Sequence, residues 1–588
     1  MQHASEAAMT RSTARALAWL VMLGCLAAVC IALTSRALVP TLHATQRRAE
    51  KETPVVLPWR FVGAQSARVL VVRFDANVYT PHRWRIVPDD ELTAIRLNGE
   101  PVSLARISKA KLRDFEDGFA IELPIRAGEN ELELTVDNGG GPGGIDLQPY
   151  PGWGLTLVGL GFVPWLWALA RTFRLTRAQL AVLAVALLTS GLYWSATSWN
   201  ERTYDAMFDV GHMGYVTHVA THWALPNPEA GWAFYHPPLY YVLGAFTWSL
   251  ATRFGLPGTW MMQALSLALW LVFLCASAGA LKMAWGSRRR LWLATATVAL
   301  WPSSALHSIR IGNDAALYAF GAVAVFFTVS WWLRRREGHL VLAGLFVGLA
   351  LLSKSNAAVL AAALALLVVL RGVREGSWRL GPPFAAGALV LVGAVGGLGN
   401  GIYHYRRGLT SDWLVGNVSQ LDDGMRVPVD VASFVPLDLP KFLTQPWIAT
   451  RGEGTGRTNF WNFLLRSSLS GEFSHAGSAL RGLALAQGVL LLVLVLAVVP
   501  RFVRAVGSRA ARRDLQGAPW TVLGVLWIAS LLALRIKAPF SCSNDFRYIV
   551  PILVPIAFAL GTRGRWIAAV QTALAISSVW FSFVLAWS

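Results

Sequence analysis

Long apolar runs dominate this chain and alternate with short basic or polar stretches. A helix needs about 20 apolar residues to cross a hydrocarbon core about 30 Å thick. The first run, near 17–33, fits either a cleaved signal peptide or a retained anchor, and an anchor is favoured because no small-x-small cleavage site follows it closely. The pattern predicts a polytopic α-helical membrane protein with about thirteen spans. After the anchor they lie near 152–170, 179–198, 259–281, 291–308, 314–333, 340–353, 356–371, 382–401, 478–500, 519–536, 547–562 and 566–586.

Residues 41–150 follow a different pattern. Segments such as "ARVLVVRF", "FAIELPI" and "NELELTV" alternate apolar and polar positions and are separated by Gly, Pro and Asn. A period of two with such breaks predicts a small β-sandwich. It follows a basic-flanked anchor and precedes a basic loop that starts at Arg171, so we expect it to be extracytoplasmic.

These patterns divide the chain into four regions. They are a cytoplasmic tail with the anchor (1–40), the β-sandwich (41–150), a span with a basic cytoplasmic loop (151–178), and a transmembrane core (179–588) whose external loops are 199–258 and 402–477.

The segment "HPPLYYVLGAF", which starts at His236, is apolar but does not fit a span. If residues 237–253 crossed the membrane, the basic loop at Arg288 would lie outside. A helix lying in the outer interface keeps every later basic loop inside. Proline is tolerated in a first helical turn, whose N–H groups have no intrahelical partner. The two prolines therefore predict a rigid start to an interfacial helix.

Composition and charge support a membrane protein. Of 588 residues, 55% are hydrophobic and only 14% are charged, and the 27 Trp suit membrane interfaces. The net charge of +19 comes from short basic clusters between apolar runs. Such clusters orient a membrane protein, so nucleic acid is not expected as a partner.

Carboxylates outside the β-domain are concentrated in the predicted external loops. Four are predicted to be cytoplasmic: Glu6, Glu337, Glu375 and Asp514. The external ones are Glu201, Asp205, Asp209, Glu229, Asp314, Asp412, Asp422, Asp423, Asp430, Asp438, Glu453, Glu472 and Asp545. The positive-inside rule says little about where acidic residues are placed, so their concentration outside indicates polar chemistry on the external face.

The first external loop contains "YDAMFDVGH". Asp209 and His212 are three residues apart and would share one face of a helical turn. One interpretation is a general base that His212 orients, or a pair of ligands for a divalent metal ion. The alternative is that Asp209 caps a helix N-terminus.

A second external segment is "HSIRIGNDAALYAF". Arg310, Asn313 and Asp314 lie at its water side, where they are candidates for substrate binding. Alternatively, the Asn-Asp pair caps a helix that starts at Ala315.

Two cations complete the candidate set. Arg547 follows Asp545 at the outer end of a span, and Lys354 in "GLALLSKSNAAVL" lies where two short apolar runs meet outside. An external Arg or Lys is a candidate phosphate ligand. The alternative is a long side chain that extends toward the membrane surface.

The order of these segments resembles that of a known superfamily. An Asp-bearing first loop, the "HPPLYY" helix, an "ND" hinge, a "GLFVGLALLSKSN" hairpin and a C-terminal "RYIVP" are similar to the GT-C integral membrane glycosyltransferases. The nearest resemblance, over about 179–562, is to bacterial protein O-mannosyltransferases and lipid A aminoarabinose transferases. The segments "IRLNGEPV" and "RAGENELELTVDNGGGPGGI" resemble galactose-binding-like jelly rolls.

The resemblance implies a glycosyltransferase of a bacterial inner membrane that moves a sugar from a polyprenyl-phosphate-linked donor to a glycan, lipid or protein acceptor. It also implies transfer on the external face and inversion. It implies that the first-loop Asp is the base, which maps to Asp209. The family often has an adjacent Asp-Glu pair that this loop lacks, so Asp205 remains an alternative. The expected substrate-binding residues are His212, His236, Arg310, Asn313, Asp314, Lys354 and Arg547.

Other function classes remain as alternatives. A transporter or flippase for lipid-linked glycans often shows internal repeats and charges near the middle of spans. This chain has no clear repeat, and its charges lie at span ends. A glycan polymerase or ligase would share the lipid substrate but not the "HPPLYY" order. A divalent metal ion, with Asp209 and His212 as ligands, is an open expectation.

Overall fold

The computed structural model describes most of the chain. It covers residues 2–587 except 49–50, 56, 58, 64–65, 115–117, 140, 151, 198, 200–205, 286–289, 377–379, 411, 414–415, 417–420, 422, 453–455, 508–516 and 562–563.

The N-terminal domain consists of two antiparallel sheets with the strand orders β2-β1-β4-β9-β6-β7 and β3-β10-β5-β8. Along β9, Leu132, Leu134 and Val136 are buried while the residues between them point outward, as the alternating pattern predicts. The predicted β-sandwich is confirmed. The strands are β1 His43–Arg48, β2 Lys51–Val55, β3 Trp59–Gly63, β4 Ser66–Ala76, β5 Arg83–Pro88, β6 Glu91–Leu97, β7 Glu100–Val102, β8 Phe119–Glu122, β9 Gly128–Asn138 and β10 Gly141–Pro149.

The remainder is helical. The helices are α1 Gln2–Leu38, α2 Trp153–Leu160, α3 Val163–Thr172, α4 Arg177–Ala196, α5 His212–His222, α6 Leu239–Arg253, α7 Gly258–Ala284, α8 Leu291–Ala299, α9 Ser304–Ile309, α10 Asp314–Arg334, α11 Glu337–Leu351, α12 Ala358–Glu375, α13 Gly381–Arg406, α14 Val431–Phe434, α15 Leu439–Thr444, α16 Phe460–Ser470, α17 Ser478–Gly507, α18 Ala518–Lys537, α19 Leu553–Leu560 and α20 Arg565–Trp587.

Within the described ranges, 11 helices are long and apolar enough to cross a membrane, and the shorter α11 is also apolar. The predicted polytopic helical membrane protein is confirmed, while the exact number of spans stays a prediction. The expected span at 291–308 consists instead of α8 and α9, which a turn containing Pro302 separates. Proline lacks the N–H that an unbroken helix needs. Helix α6, predicted to be interfacial, is not among the 11.

The start of α6 is tied to the end of α11. The Leu239 N–H, directly after the two prolines, donates to the Leu352 carbonyl at 2.9 Å. The first turn then closes by a bond from the Val242 N–H to the Pro238 carbonyl. The double proline therefore begins a helix whose position is fixed by the α11–α12 connection.

Helices α11 and α13 pack backbone to backbone through glycines. A Cβ atom on Gly393 would lie 2.3 Å from the Gly348 Cα, and one on Gly397 would lie 2.3 Å from the Leu351 carbonyl oxygen. Small residues four apart allow membrane helices to approach this closely. Because α11 leads directly to Lys354, this packing helps to set the position of that side chain.

We expect Gly393→Val to separate α11 from α13 and to lower thermal stability in detergent. Forcing atoms into a closely packed interface typically destabilises by about 1–3 kcal/mol. The matched control is Gly387→Val on the same helix, since a Cβ there would meet nothing within 4 Å. Equal melting temperatures for the two variants would contradict the proposed packing.

Candidate functional site

A buried group of five charged side chains, which we call the central charge cluster, lies where several chain segments meet. Its members are Arg310, Asp314, Lys354, Asp545 and Arg547. Arg310 and Asp314 flank the turn between α9 and α10, Lys354 follows α11, and the other two follow α18. Residues far apart in the chain therefore converge in one polar region within an apolar core.

Two ion pairs organise the central charge cluster. Lys354 Nζ lies 2.7 Å from Asp314 Oδ1, and both side chains are largely buried. Arg547 Nε lies 3.5 Å from Asp545 Oδ2. Arg310 interacts electrostatically with both carboxylates. Three cations therefore converge in one largely buried region, and such an arrangement is a candidate site for an anionic ligand such as a phosphate.

Tyr548 lies between two of the cations. Its ring centroid is 5.1 Å from the Lys354 ammonium and 5.0 Å from the Arg547 guanidinium. Its hydroxyl accepts a hydrogen bond from Arg547 at 3.2 Å, and the Tyr318 hydroxyl donates to the Arg547 carbonyl. These aromatic contacts hold the cations near one another despite their like charge.

The ND hinge, residues 310–314, does not use its side chains to cap α10. The helix begins at Asp314, and the preceding Asn313 makes no side-chain cap hydrogen bond. Instead, the Asn313 amide donates to the Ser353 carbonyl at 3.1 Å, while Asp314 pairs with Lys354. The Asn313 Oδ1 atom is buried without a hydrogen-bond partner in the described structure. Both side chains therefore contact the end of α11 rather than the start of α10.

The first external loop contacts this hinge through His212. This buried residue begins α5, its Nδ1 lies 2.8 Å from the Tyr241 hydroxyl, and its ring stacks on His236 at 5.8 Å. A Cβ atom on Gly312 would lie 3.3 Å from His212 Nε2, so the imidazole touches the hinge. The Gly312 N–H also donates to the Tyr240 hydroxyl at 3.0 Å. The "HPPLYY" helix, the first loop and the hinge therefore form one contact network.

An aromatic stack supports that network. The Tyr215 ring lies 3.7 Å from the Tyr241 ring, and its hydroxyl donates to the His236 carbonyl at 3.4 Å. Burial raises the pKa of the Tyr215 phenol, so it remains protonated and able to donate.

Asp209 lies at the exposed edge of this region. Its Oδ1 accepts from the Val210 N–H at 2.9 Å, and the residue that caps α5 is Gly211, without a side-chain cap bond. The backbone folds tightly here, because a Cβ atom on Gly214 would lie 2.8 Å from the Asp209 carbonyl oxygen. The alternative candidate, Asp205, lies outside the described residues.

The residues that the structure describes do not form a recognisable metal site. No group of three or more His, Cys, Asp or Glu side chains with metal-binding geometry occurs among the described residues. Asp209 is exposed, whereas His212 is buried and bonded to Tyr241 through Nδ1. The divalent metal therefore stays an untested prediction, and no chemical step below depends on it.

Sequence reasoning missed two polar side chains beside the central charge cluster. His307 is buried and interacts electrostatically with Arg310 and Asp314. Asn544, next to Asp545, is buried with neither amide atom hydrogen-bonded in the described structure. His307 lies in the segment "HSIRIGNDAALYAF" and Asn544 directly precedes Asp545, but their burial depends on neighbours that are distant in the chain.

The β-domain also reaches the first loop. The buried Asp146 of β10 accepts a hydrogen bond from Trp199 Nε1 at 3.1 Å. Trp199 packs edge-on against Phe208 with ring centroids 5.3 Å apart, and Phe208 immediately precedes Asp209. One polar contact and one aromatic pair therefore connect the sandwich to the loop that carries the candidate base.

Comparisons with known proteins agree with the sequence resemblance. Residues 235–396 match the family model described as dolichyl-phosphate-mannose-protein mannosyltransferase. This range contains the "HPPLYY" helix, the ND hinge and Lys354. The match supports a GT-C superfamily membrane glycosyltransferase, so the resemblance is confirmed.

Among solved structures, the chain is similar to the apo oligosaccharyltransferase of Archaeoglobus fulgidus, with 13% identity and a TM-score of 0.39. The match covers 69% of this chain and 55% of the archaeal protein, so the chain spans about half the length of that relative. A search of curated proteins finds no match.

We expect Lys354→Met to destabilise the protein strongly, because it removes the direct ion-pair partner of a buried carboxylate. Breaking a buried ion pair from one side costs about 3–5 kcal/mol. Chemical unfolding in detergent would measure the loss, and the double variant Lys354→Met/Asp314→Leu should recover much of it.

The control for this experiment is Lys441→Met. Lys441 pairs with Asp438 at 3.5 Å with both side chains partly exposed. An exposed pair contributes about 1 kcal/mol or less. Equally small losses for Lys354→Met and Lys441→Met would contradict a buried pair in the central charge cluster.

Proposed function

We propose a specific reaction for this GT-C superfamily membrane glycosyltransferase: transfer of a sugar from a polyprenyl-phosphate-linked donor to an acceptor hydroxyl on the extracytoplasmic face, with inversion at the anomeric carbon. The observation that carries the proposal is the convergence of three cations in the central charge cluster, which contacts the first external loop through the ND hinge. The acceptor class is a glycan, lipid or protein.

In the proposed reaction, the bond between the anomeric carbon and the donor phosphate oxygen breaks while a bond to the acceptor oxygen forms. Negative charge develops on the departing lipid phosphate. Lys354, Arg310 and Arg547 would stabilise it, because preorganised cations in a water-poor site act strongly on developing charge. The planar guanidinium groups suit a phosphate with two accepting oxygens.

The acceptor hydroxyl must lose its proton as it attacks, which requires a general base. Asp209 is the proposed base, since it lies in the first loop three residues before the histidine that touches the hinge. His212 and His236 would fix the position of this loop rather than take the proton. Asp205 is the alternative base in the same loop.

We expect Asp209→Asn to leave expression and donor-lipid binding near the wild-type level while transfer collapses. The amide keeps the size of the carboxylate but cannot accept a proton, and general base catalysis typically contributes about 100- to 10,000-fold. Turnover with purified protein and a polyprenyl-phosphate sugar measures the change, and copurified lipid identified by mass spectrometry reports donor binding.

The matched control for the base is Glu229→Gln, an exposed carboxylate in the same external loop, which should retain activity. Normal turnover in Asp209→Asn together with loss in Asp205→Asn would assign the base to Asp205. Normal turnover in both variants would refute the proposed role of the loop.

We also expect the β-domain to be extracytoplasmic. Ser103 is exposed on this domain, so Ser103→Cys should react with a membrane-impermeant thiol reagent on intact spheroplasts. Labelling that appears only after lysis would reverse the proposed topology and move the site to the cytoplasmic face.

A further inference from the structure

Residues 428–444, which we call the strap, run between the ends of two membrane helices on one face of the protein. Helices α17 and α18 are consecutive spans, so the start of α17 and the end of α18 lie on the same side. The strap contains only the short helices α14 and α15, and the remainder is irregular backbone. Irregular backbone has carbonyl and N–H groups that need partners.

Two buried arginines hold the ends of the strap. Arg535, at the end of α18, donates to the Pro428 carbonyl at 2.6 Å and lies 5.3 Å from the Phe434 ring centroid. Arg466 of α16 donates to the Phe442 carbonyl and lies 4.2 Å from the Phe442 ring centroid. Their exposed fractions are 0% and 2%. Each end therefore has the same arrangement of a carbonyl bond and a cation–π contact.

Two asparagines at the start of α16 hold the middle of the strap. Asn459 donates to the Pro436 carbonyl. Asn462 accepts from the Asp438 N–H at 2.9 Å and donates to the Asp438 carbonyl at 3.0 Å. Asn459, Asn462 and Arg466 follow at helical spacing and share one face of α16. Protein side chains therefore form the hydrogen bonds to backbone groups of the strap that water would form in an ordinary surface loop.

The outward side of the strap is apolar. Val431 and Val435 are 76% and 70% exposed, and Val429, Leu439 and Leu443 are also exposed. Helices α17 and α18 also leave much of their apolar length exposed. In the most apolar stretch of each helix, only 33% of α17 and 39% of α18 is buried within the protein, against 78% of α7.

We infer that the strap lies in the membrane–water interface, with its apolar side in contact with the lipid leaflet. Backbone in lipid must find its hydrogen-bond partners within the protein, and the buried arginines and asparagines supply them. Asp430 and Lys441 remain exposed, which places the strap at headgroup depth rather than in the hydrocarbon centre. This placement does not depend on the proposed reaction.

The test uses the full-length protein with its native cysteines replaced by alanine, reconstituted in phosphatidylcholine–phosphatidylglycerol bilayers. Val431→Cys and Val435→Cys each carry an environment-sensitive fluorophore, and some lipids carry a nitroxide in the upper acyl chain. Both positions are highly exposed, so the substitutions do not disturb packing. The aqueous control is Val78→Cys, in a β-domain turn where the side chain is 84% exposed.

We expect blue-shifted emission and strong nitroxide quenching at both strap positions, with neither effect at Val78. Emission at the strap that matches Val78 would place the strap in water and overturn the inference. A blue shift without quenching would mean that protein, such as a second copy of the chain, covers the strap, and would equally overturn it.

Discussion

The buried ion pair between Lys354 and Asp314 is the interaction on which the site depends. It joins the end of α11 to the start of α10 at 2.7 Å, and both side chains are largely buried. A buried carboxylate and ammonium are tolerable only when each finds a partner, so the two helix ends must stay together. The bond from Asn313 to Ser353 and the bond from Leu239 to Leu352 join the same short segment to the hinge and to α6.

Around this pair, the proposed chemistry divides between a rigid part and an exposed part. The cations for a leaving phosphate are buried and held by Tyr548 and by carboxylates. The candidate base lies at an exposed edge, where an acceptor can arrive from water. Such a division suits a transfer in which the lipid-linked donor is held in the membrane and the acceptor reaches the site from its exposed side.

The sequence predicted the architecture well, because long apolar runs and strict alternation each have a direct structural meaning. It also predicted Lys354, Asp314 and His212 as candidate site residues. The structure pairs Lys354 with Asp314 and places His212 against Gly312 of the hinge, while their roles stay predictions. The sequence left the capping alternative for Asn313 open, since the local sequence cannot reveal a partner 40 residues away. The hydropathy of 291–308 predicted a single span, because hydropathy is insensitive to the break at Pro302. The burial of His307 and Asn544 depends on distant neighbours and has no local signature.

The hydrogen bond between Asp146 and Trp199 connects the β-domain directly to the loop of Asp209. If a ligand on the sandwich strengthens or weakens this bond, it changes the free energy of the loop. Thermodynamic linkage then requires that an acceptor bound at the loop change the affinity of the sandwich for its ligand by the same factor. Through that bond, the two domains would behave as one cooperative binding unit.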